Sequence, residues 1–379
     1  GGFHSRCRRC EIKSNKNYEV IGNMNIMSLL NALPGAVAQG LIWGIMAIGV
    51  YITFRILDIA DLTVDGSLCT GAAVCIMMIQ GGSNVWVALL CAFLAGMLAG
   101  FATGLFHTFM GIPAILAGIL TQLGLYSVNL KIMGKSNQAI NVDKFDLLVS
   151  LRYIKNVAIY KNTILIVVVL IILLVAVLYW FFGTELGCSL RATGCNDKMA
   201  RAQGINTDFN RVLGLMISNG LVAFSGALLG QYQGFSDINM GRGAIVIGLA
   251  AVIIGEAIFG KIFRNFGLKL IAVAIGSIIY YFVLQIVIWF GIDTDLLKLL
   301  FIFYSSLSLC SVNQNLHSIC SCFRKITELH GISSLCRDQL CFSLCGMNGK
   351  HSLILFLIIH FRKYTGTIFV STGFVVILI

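Results

Sequence analysis

Charge is scarce in this chain: Asp, Glu, Lys and Arg make up 11% of it, against about 25% in an ordinary soluble domain. A water-facing exterior cannot be assembled from so few charges, and a mean hydropathy of +0.89 points the same way. A nucleotide-binding loop is also missing. The nearest approach, Asn129-Leu-Lys-Ile-Met-Gly134-Lys135-Ser136, lacks the leading glycine of the phosphate-cradling pattern GxxxxGK[ST]. Any use of ATP must therefore be supplied by another chain. Paired metal-ligand spacing is absent, because Cys320-x-Cys322 and Cys341-x3-Cys345 do not make the CxxC pairs of a zinc site. Of six histidines only His107 falls in an apolar segment, where it reads as a core or interfacial residue, and no nucleophile and base stand in a catalytic arrangement. No enzyme chemistry, no metal and no cofactor are expected.

Long apolar runs are what the chain does have. Crossing a bilayer takes about 20 consecutive apolar residues at helical rise. Thr163 to Phe182 is such a run, and Leu270 to Phe290 is interrupted only by isolated polar residues. Further apolar segments lie near Gly40 to Phe54, Leu62 to Ile79, Val85 to Phe109, Ile112 to Leu130, Val212 to Gln231 and Ala244 to Phe259. The expected fold class is an all-α polytopic transmembrane bundle of about eight spans or part-spans. The 40 glycines serve close helix packing, since Gly40/Gly44, Gly96/Gly100/Gly104 and Gly226/Gly230 have the small-xxx-small spacing.

Net charge and cysteine are unevenly placed. Of the formal +11, the stretch Met24 to Leu300 carries +4, residues 1–23 carry +3 and residues 301–379 carry +4. Five of 13 cysteines (Cys69, Cys75, Cys91, Cys188 and Cys195) lie in the central stretch and read as small packing residues. The central stretch, 24–300, is expected to be the membrane domain. Residues 1–23 are expected to be a non-native or disordered extension, and 301–379 a Cys-rich tail that is frame-shifted or disordered.

Basic loops stay in the cytoplasm more often than not. Loop 183–211 carries Arg191, Lys198, Arg201 and Arg211, and loop 260–269 carries Lys261, Arg264 and Lys269, so both are expected inside. The turn at Asp237 then faces outward, as does segment 131–162, although that segment holds six Lys or Arg residues. An internal echo pairs Gly40-Leu41, Asp58-Ile59 and Ala72-Ala73-Val74 with Gly220-Leu221, Asp237-Ile238 and Ala250-Ala251-Val252. On this topology the copies run in opposite directions, as in inverted-repeat transporters; chance similarity of two glycine-rich stretches is the other reading.

The polar island Leu186-Gly-Cys-Ser-Leu-Arg191-Ala-Thr-Gly194-Cys-Asn196-Asp-Lys-Met-Ala200-Arg201-Ala-Gln-Gly204-Ile-Asn206 is the most informative segment. Asn196 can cap a short helix, Asp197 and Arg201 form an i,i+4 pair, and Gly204 can end the helix in the left-handed conformation. One compact helix on the cytoplasmic face is expected. The pattern R-A-T-G-x-N-x3-A-R-x2-G-I-N resembles the cytoplasmic coupling segment of permeases in the branched-chain amino acid and ribose type ABC importer family. The segments Ser225-Gly-Ala-Leu-Leu-Gly230 and Gly248-Leu-Ala-Ala-Val-Ile-Ile-Gly-Glu256-Ala-Ile-Phe-Gly260 continue the likeness. Phe54-Arg-Ile-Leu-Asp58-Ile-Ala-Asp61-Leu-Thr-Val-Asp65-Gly is similar to an amino-acid-uptake subgroup, with aromatic amino acids as candidate solutes. The resemblance spans roughly Met24 to Leu300. Cys195 departs from the Asp, Glu or Gly usual there, and no final family span is recognisable after Leu300.

The resemblance implies a permease subunit in the prokaryotic plasma membrane, importing a small solute, most naturally an amino acid. Its implied partners are cytosolic ABC ATPase subunits, an extracytoplasmic solute-binding protein and a second permease subunit, identical or related. The island residues Arg191, Gly194, Asn196, Ala200, Arg201, Gly204 and Asn206 would couple to the ATPase. Ionisable and polar groups at membrane depth are candidates for the solute pathway, here Asp65, Gln122, Asn219 and Glu256. Asp65 could instead cluster with Asp58 and Asp61 near Arg55 at a membrane face, and Glu256 could pair with Lys261. A sugar-specific permease of the same family, an ion-coupled secondary transporter and a channel remain as alternatives.

Overall fold

The computed structural model describes residues 26–140, 145, 147–150, 162–260, 262–263 and 265–289, with side chains from Ala32 onward. The expectations for residues 1–23 and 301–379, and those for Lys261 and Arg264, lie outside the described residues. The chain divides into two compact units at Val287, and the account below concerns the first.

Helices dominate. Helix α1, Ile26–Tyr51, ends in a π turn over Ile52–Ile56. Then come α2, Val64–Gln80; α3, Val85–Thr108; and α4, Ala114–Met133. After the short strand β1, Asn137–Ala139, follow α5, Thr163–Gly183; α6, Glu185–Cys195; α7, Asp197–Ala202; and α8, Thr207–Gln233. Strand β2, Phe235–Asp237, helix α9, Ala244–Phe259, and helix α10, Phe266–Trp289, complete the order. Local chemistry sets the ends: Asn84 and Asn162 cap α3 and α5 with their side-chain oxygens, and Gly134, at φ 66°, ends α4.

Among the described residues six helices are long and apolar enough to span a membrane, and two shorter apolar ones, α2 and α9, join them. Those eight are the eight segments that run length picks out. At 17 and 16 residues, α2 and α9 are each about 25 Å long, short of the roughly 30 Å hydrocarbon layer. The apolar windows of α1 and α8 are 83% and 72% buried, whereas those of α4 and α5 are 22% buried. So α1 and α8 form the centre, and α4 and α5 turn apolar side chains such as Leu123 and Ile172 outward.

The seam between α1 and α8 is antiparallel and repeats every seven residues. Ser218 donates to the Gly49 carbonyl at 2.8 Å, Ser225 to Ile42 at 2.8 Å and the Tyr232 hydroxyl to Gly35 at 3.2 Å. Hydroxyls that would otherwise be unpaired in an apolar interior thus find main-chain oxygens on the facing helix. Glycine brings α2 against α8 as well: a Cβ on Gly71 would run into the Ala223 backbone, and one on Gly226 into Leu68.

The echo in the sequence corresponds to inverted geometry. In the first copy α1 and the π turn lead through residues 57–63 into α2; in the second α8 leads through β2 and residues 238–243 into α9. Residues 238–243 run antiparallel to the start of α2. The Cys69 thiol donates to the Ile238 carbonyl, the Gly241 amide donates to the Cys69 sulfur, and the Gly243 amide reaches Asp65. The two short helices thus leave one central point in opposite directions.

Candidate functional site

At one end of the bundle the polar island is two short helices rather than the single helix expected. Asn196 breaks the chain between α6 and α7 with an extended backbone, φ −158° and ψ 100°, and its side chain caps α7 by accepting from the Met199 amide at 3.1 Å. Thr184 caps α6 and Asn206 caps α8, the latter accepting from Phe209 at 3.1 Å. Gly204 takes φ 80°, closing α7 in the left-handed conformation. Ala200 is buried beneath α7, where a larger side chain would lift the helix.

Both arginines expected to face a partner are engaged within the chain. Arg201 lies 3.6 Å from Asp197, donates to the Thr207 hydroxyl at 2.7 Å and to Asp208 at 2.9 Å, so it fastens α7 to the start of α8. Arg211 adds contacts to Asp197 at 3.3 Å and Asp208 at 3.8 Å. The Arg191 guanidinium stacks over the Phe266 ring, 5.4 Å from its centre. Two apolar side chains stand out on the island, Met199 at 64% exposed and Leu186 at 51%, beside the exposed Glu185, Lys198 and Gln203.

The island is bolted to the bundle. Gly194 meets the Ile56 carbonyl of the π turn so closely that a Cβ there would overlap it. The Asn210 amide donates to the Thr193 hydroxyl at 3.0 Å, joining α6 to α8. On the same end Arg55, in the π turn, donates to Glu256 of α9 at 3.0 Å. Glu256 therefore bridges the two repeats. The two basic loops share this end, since α10 begins there with the Phe266 ring tilted against Phe182, centroids 4.9 Å apart. The ribbon of β1 and β2, paired Asn137 to Asp237 and tied to Gln80 at the end of α2, lies at the opposite end.

At the centre, the polar candidates from the sequence fall into two groups. Asn219 is a hub: its amide nitrogen donates to Asp61 at 2.6 Å and to the Leu215 carbonyl at 3.0 Å, and its oxygen accepts from Ser67 at 2.6 Å. Asp61 also accepts from the Thr63 amide at 2.9 Å, and Thr63 shares a 2.7 Å hydroxyl bond with Thr103 of α3. Asp61 is 3% exposed, so it is the buried carboxylate among the described residues, a role the sequence did not single out. The signal for it was the Asp-x-Thr spacing at a helix start, which lets Asp61 receive the Thr63 amide. Asp65 belongs elsewhere. Its two oxygens accept from the amides of Gly243 at 2.9 Å and Ile245 at 3.0 Å, capping α9, which has no side-chain cap of its own. The grouping of Asp58, Asp61 and Asp65 near Arg55 at a membrane face does not occur, because Arg55 is held by Glu256 and the other two point into different junctions. Gln122 stands apart on α4, its Cα close to Gly66. His107 contacts the Ile112 carbonyl through Nδ1 at 2.9 Å, a local role at the end of α3. No cluster of metal-binding side chains is present among the described residues.

Residues 33–305 match the family model described as branched-chain amino acid transport system, permease component. The chain belongs to this permease family. A tyrosine transport system permease protein of Clostridioides difficile (strain R20291) is 39% identical over 271 residues, covering 72% of this chain and 88% of that one. An uncharacterized protein of Rickettsia prowazekii (strain Madrid E) is 39% identical over 290 residues, covering 75% and 99%. An autoinducer 2 import system permease protein of Yersinia pestis (strain Pestoides F) is 29% identical over 215 residues, covering 56% and 58%. With the six long apolar helices, this makes the permease a multi-pass protein of the prokaryotic plasma membrane. It is the transport component of an ABC-type importer for amino acids or related solutes.

Proposed function

We propose that this permease moves an amino acid into the cytoplasm, with tyrosine and related aromatic amino acids as its solutes, driven by a separate cytosolic ATPase that docks on α6 and α7. The observation that carries the reading is the island itself: two capped helices, locked to the bundle by Gly194, Thr193 and Arg201, with Met199 and Leu186 left facing outward. A mere connecting loop needs no such rigidity. A docking surface does, because a force applied to it must reach the bundle instead of bending the loop. The 39% identity to a tyrosine transport permease supports the solute class. An extracytoplasmic binding protein would deliver the solute at the ribbon end, and a second permease copy would complete the path. Asp65 and Asn219 then act on that path indirectly, through the half-helix junction, rather than as members of a solute-lining row.

The test is co-purification and uptake. A tagged permease from membranes should bring down its ATPase, and Met199→Glu should abolish that capture while leaving the permease monodisperse in detergent. Reconstituted vesicles should take up labelled tyrosine with ATP and not without it. Uptake that survives ATP depletion but collapses with an uncoupler would make the protein an ion-coupled transporter, and uptake of a sugar in place of tyrosine would move it to the sugar-specific branch.

A further inference from the structure

The two ends of α9 are each held by a residue from the other repeat. At its start, Asp65 of α2 caps Gly243 and Ile245; at its finish, Arg55 of the π turn binds Glu256 at 3.0 Å. Between those points α9 packs through small residues, Gly248 against Val50 and Met46 of α1, and Gly255 against the Ala272 backbone of α10. Such a surface resists sliding less than interlocked large side chains would.

The turn that carries Arg55 is also the turn on which the docking island sits. Ile56 contributes its carbonyl to the contact with Gly194 of α6. The turn is locally underwound relative to α-helical form: Leu57 donates to the Ile52 carbonyl at 3.0 Å, Ile59 to Thr53 at 3.0 Å, and Asp58 sits between them at φ 56°, a conformation that non-glycine residues rarely adopt. π turns of this kind recur at functional positions within helices. The Arg55 and Glu256 side chains are 61% and 33% exposed, so their ion pair contributes little to holding the fold. It can be broken and remade in a working cycle.

We propose that the Arg55–Glu256 pair is the link through which movement of the docking island is passed to α9, making both side chains positioning residues of transport. The inference rests on the reading that an ATPase docks on α6 and α7. Movement of α6 displaces the π turn through the Gly194 contact; the ion pair draws the C-terminal end of α9 with it; and the Asp65 cap carries the displacement to the junction where α2 and α9 begin.

The experiment uses the permease purified with its ATPase in nanodiscs. Spin-label pairs report two distances from the outward-facing position Leu98→Cys on α3, one to Cys188 on α6 and one to Ile258→Cys on α9, nucleotide-free and after vanadate trapping. Both distances should change on trapping in the parent protein. In Arg55→Gln and in Glu256→Gln the α6 change should persist and the α9 change should be lost. The exchanged pair, Arg55→Glu with Glu256→Arg, should restore it. An α9 change that is intact in the single variants, or that the exchange fails to restore, overturns the proposal. If no ATPase accompanies the permease, or if α6 does not respond to trapping in the parent protein, the docking reading itself falls, which is a distinct result.

Discussion

Asn219 shows how much one side chain can carry in an apolar interior. It donates to Asp61 and accepts from Ser67, all three side chains being buried among α2, α8 and the chain that leads into α2. Asn219→Ala would leave a buried carboxylate oxygen and a buried hydroxyl without that partner, at a cost of about 1–3 kcal/mol for each group. The expected result is a clearly lowered unfolding midpoint in detergent, and a larger drop for Asn219→Asp, which sets a second carboxylate against Asp61. An unchanged midpoint for both variants would show that the network is not what holds the junction. Depth along the helix made Asn219 and Asp65 visible in the sequence, since an amide or a carboxylate inside an apolar run has to find a partner. Identifying that partner was out of reach. Asp61 joins Asn219 across 158 positions, and Arg55 joins Glu256 across 201, through folding that no local pattern encodes. Arg201 teaches the reverse lesson: its i,i+4 spacing to Asp197 was legible, and the additional bonds to Thr207 and Asp208 turn an expected partner contact into an internal staple.

At the scale of elements, run length located all eight apolar helices found among the described residues, because the membrane sets one length and the backbone must satisfy its own hydrogen bonds within it. Ends were harder. The eighth helix begins at Thr207, ahead of the apolar run that starts at Val212, because the Asn206 cap and the Asp208 pairing stabilise a polar first turn. The π turn and the three-residue strands of the ribbon escaped notice, being too short for periodicity to register. Small-xxx-small spacing flagged Gly96, Gly100 and Gly226, and each is pressed against the backbone of a neighbouring helix. Gly71 was not in that pattern, yet a Cβ there would collide with the Ala223 backbone. Gly71→Val should therefore force α2 and α8 apart, costing at least about 1–3 kcal/mol by overpacking. Gly124→Val, on α4 with no heavy atom near its Cβ position, is the matched control. Fluorescence-detected gel filtration should show the first variant aggregated or absent and the second eluting like the parent; equal profiles would mean that the helix contact is looser than the geometry indicates.

For the whole molecule, the arrangement of the ends leaves the charge argument balanced between two orientations. Loop 183–211 and the α9 to α10 connection share one end, while the β1–β2 ribbon stands at the other, so whichever way the permease inserts, one Lys- and Arg-containing segment must face outward. Charge counting alone hesitates here, because segment 131–162 holds six Lys or Arg residues and loop 183–211 holds four. Two of those four, Arg201 and Arg211, are already paired with Asp197 and Asp208. The proposed docking would decide the matter: an ATPase partner works in the cytosol, and the rigid, capped surface is α6 and α7. Cys188 and Cys195 are exposed on that surface, whereas Cys69 and Cys75 are buried. With the cysteines of 1–23 and 301–379 replaced by serine, a membrane-impermeant maleimide should leave intact cells unlabelled and should label Cys188 and Cys195 in inverted vesicles. Ser83→Cys, exposed in the turn between α2 and α3 at the ribbon end, should show the opposite pattern. If Cys195 reacts in intact cells and the residue at 83 does not, the island faces the wrong compartment for a nucleotide-driven partner, and the relay through Arg55 has nothing to transmit.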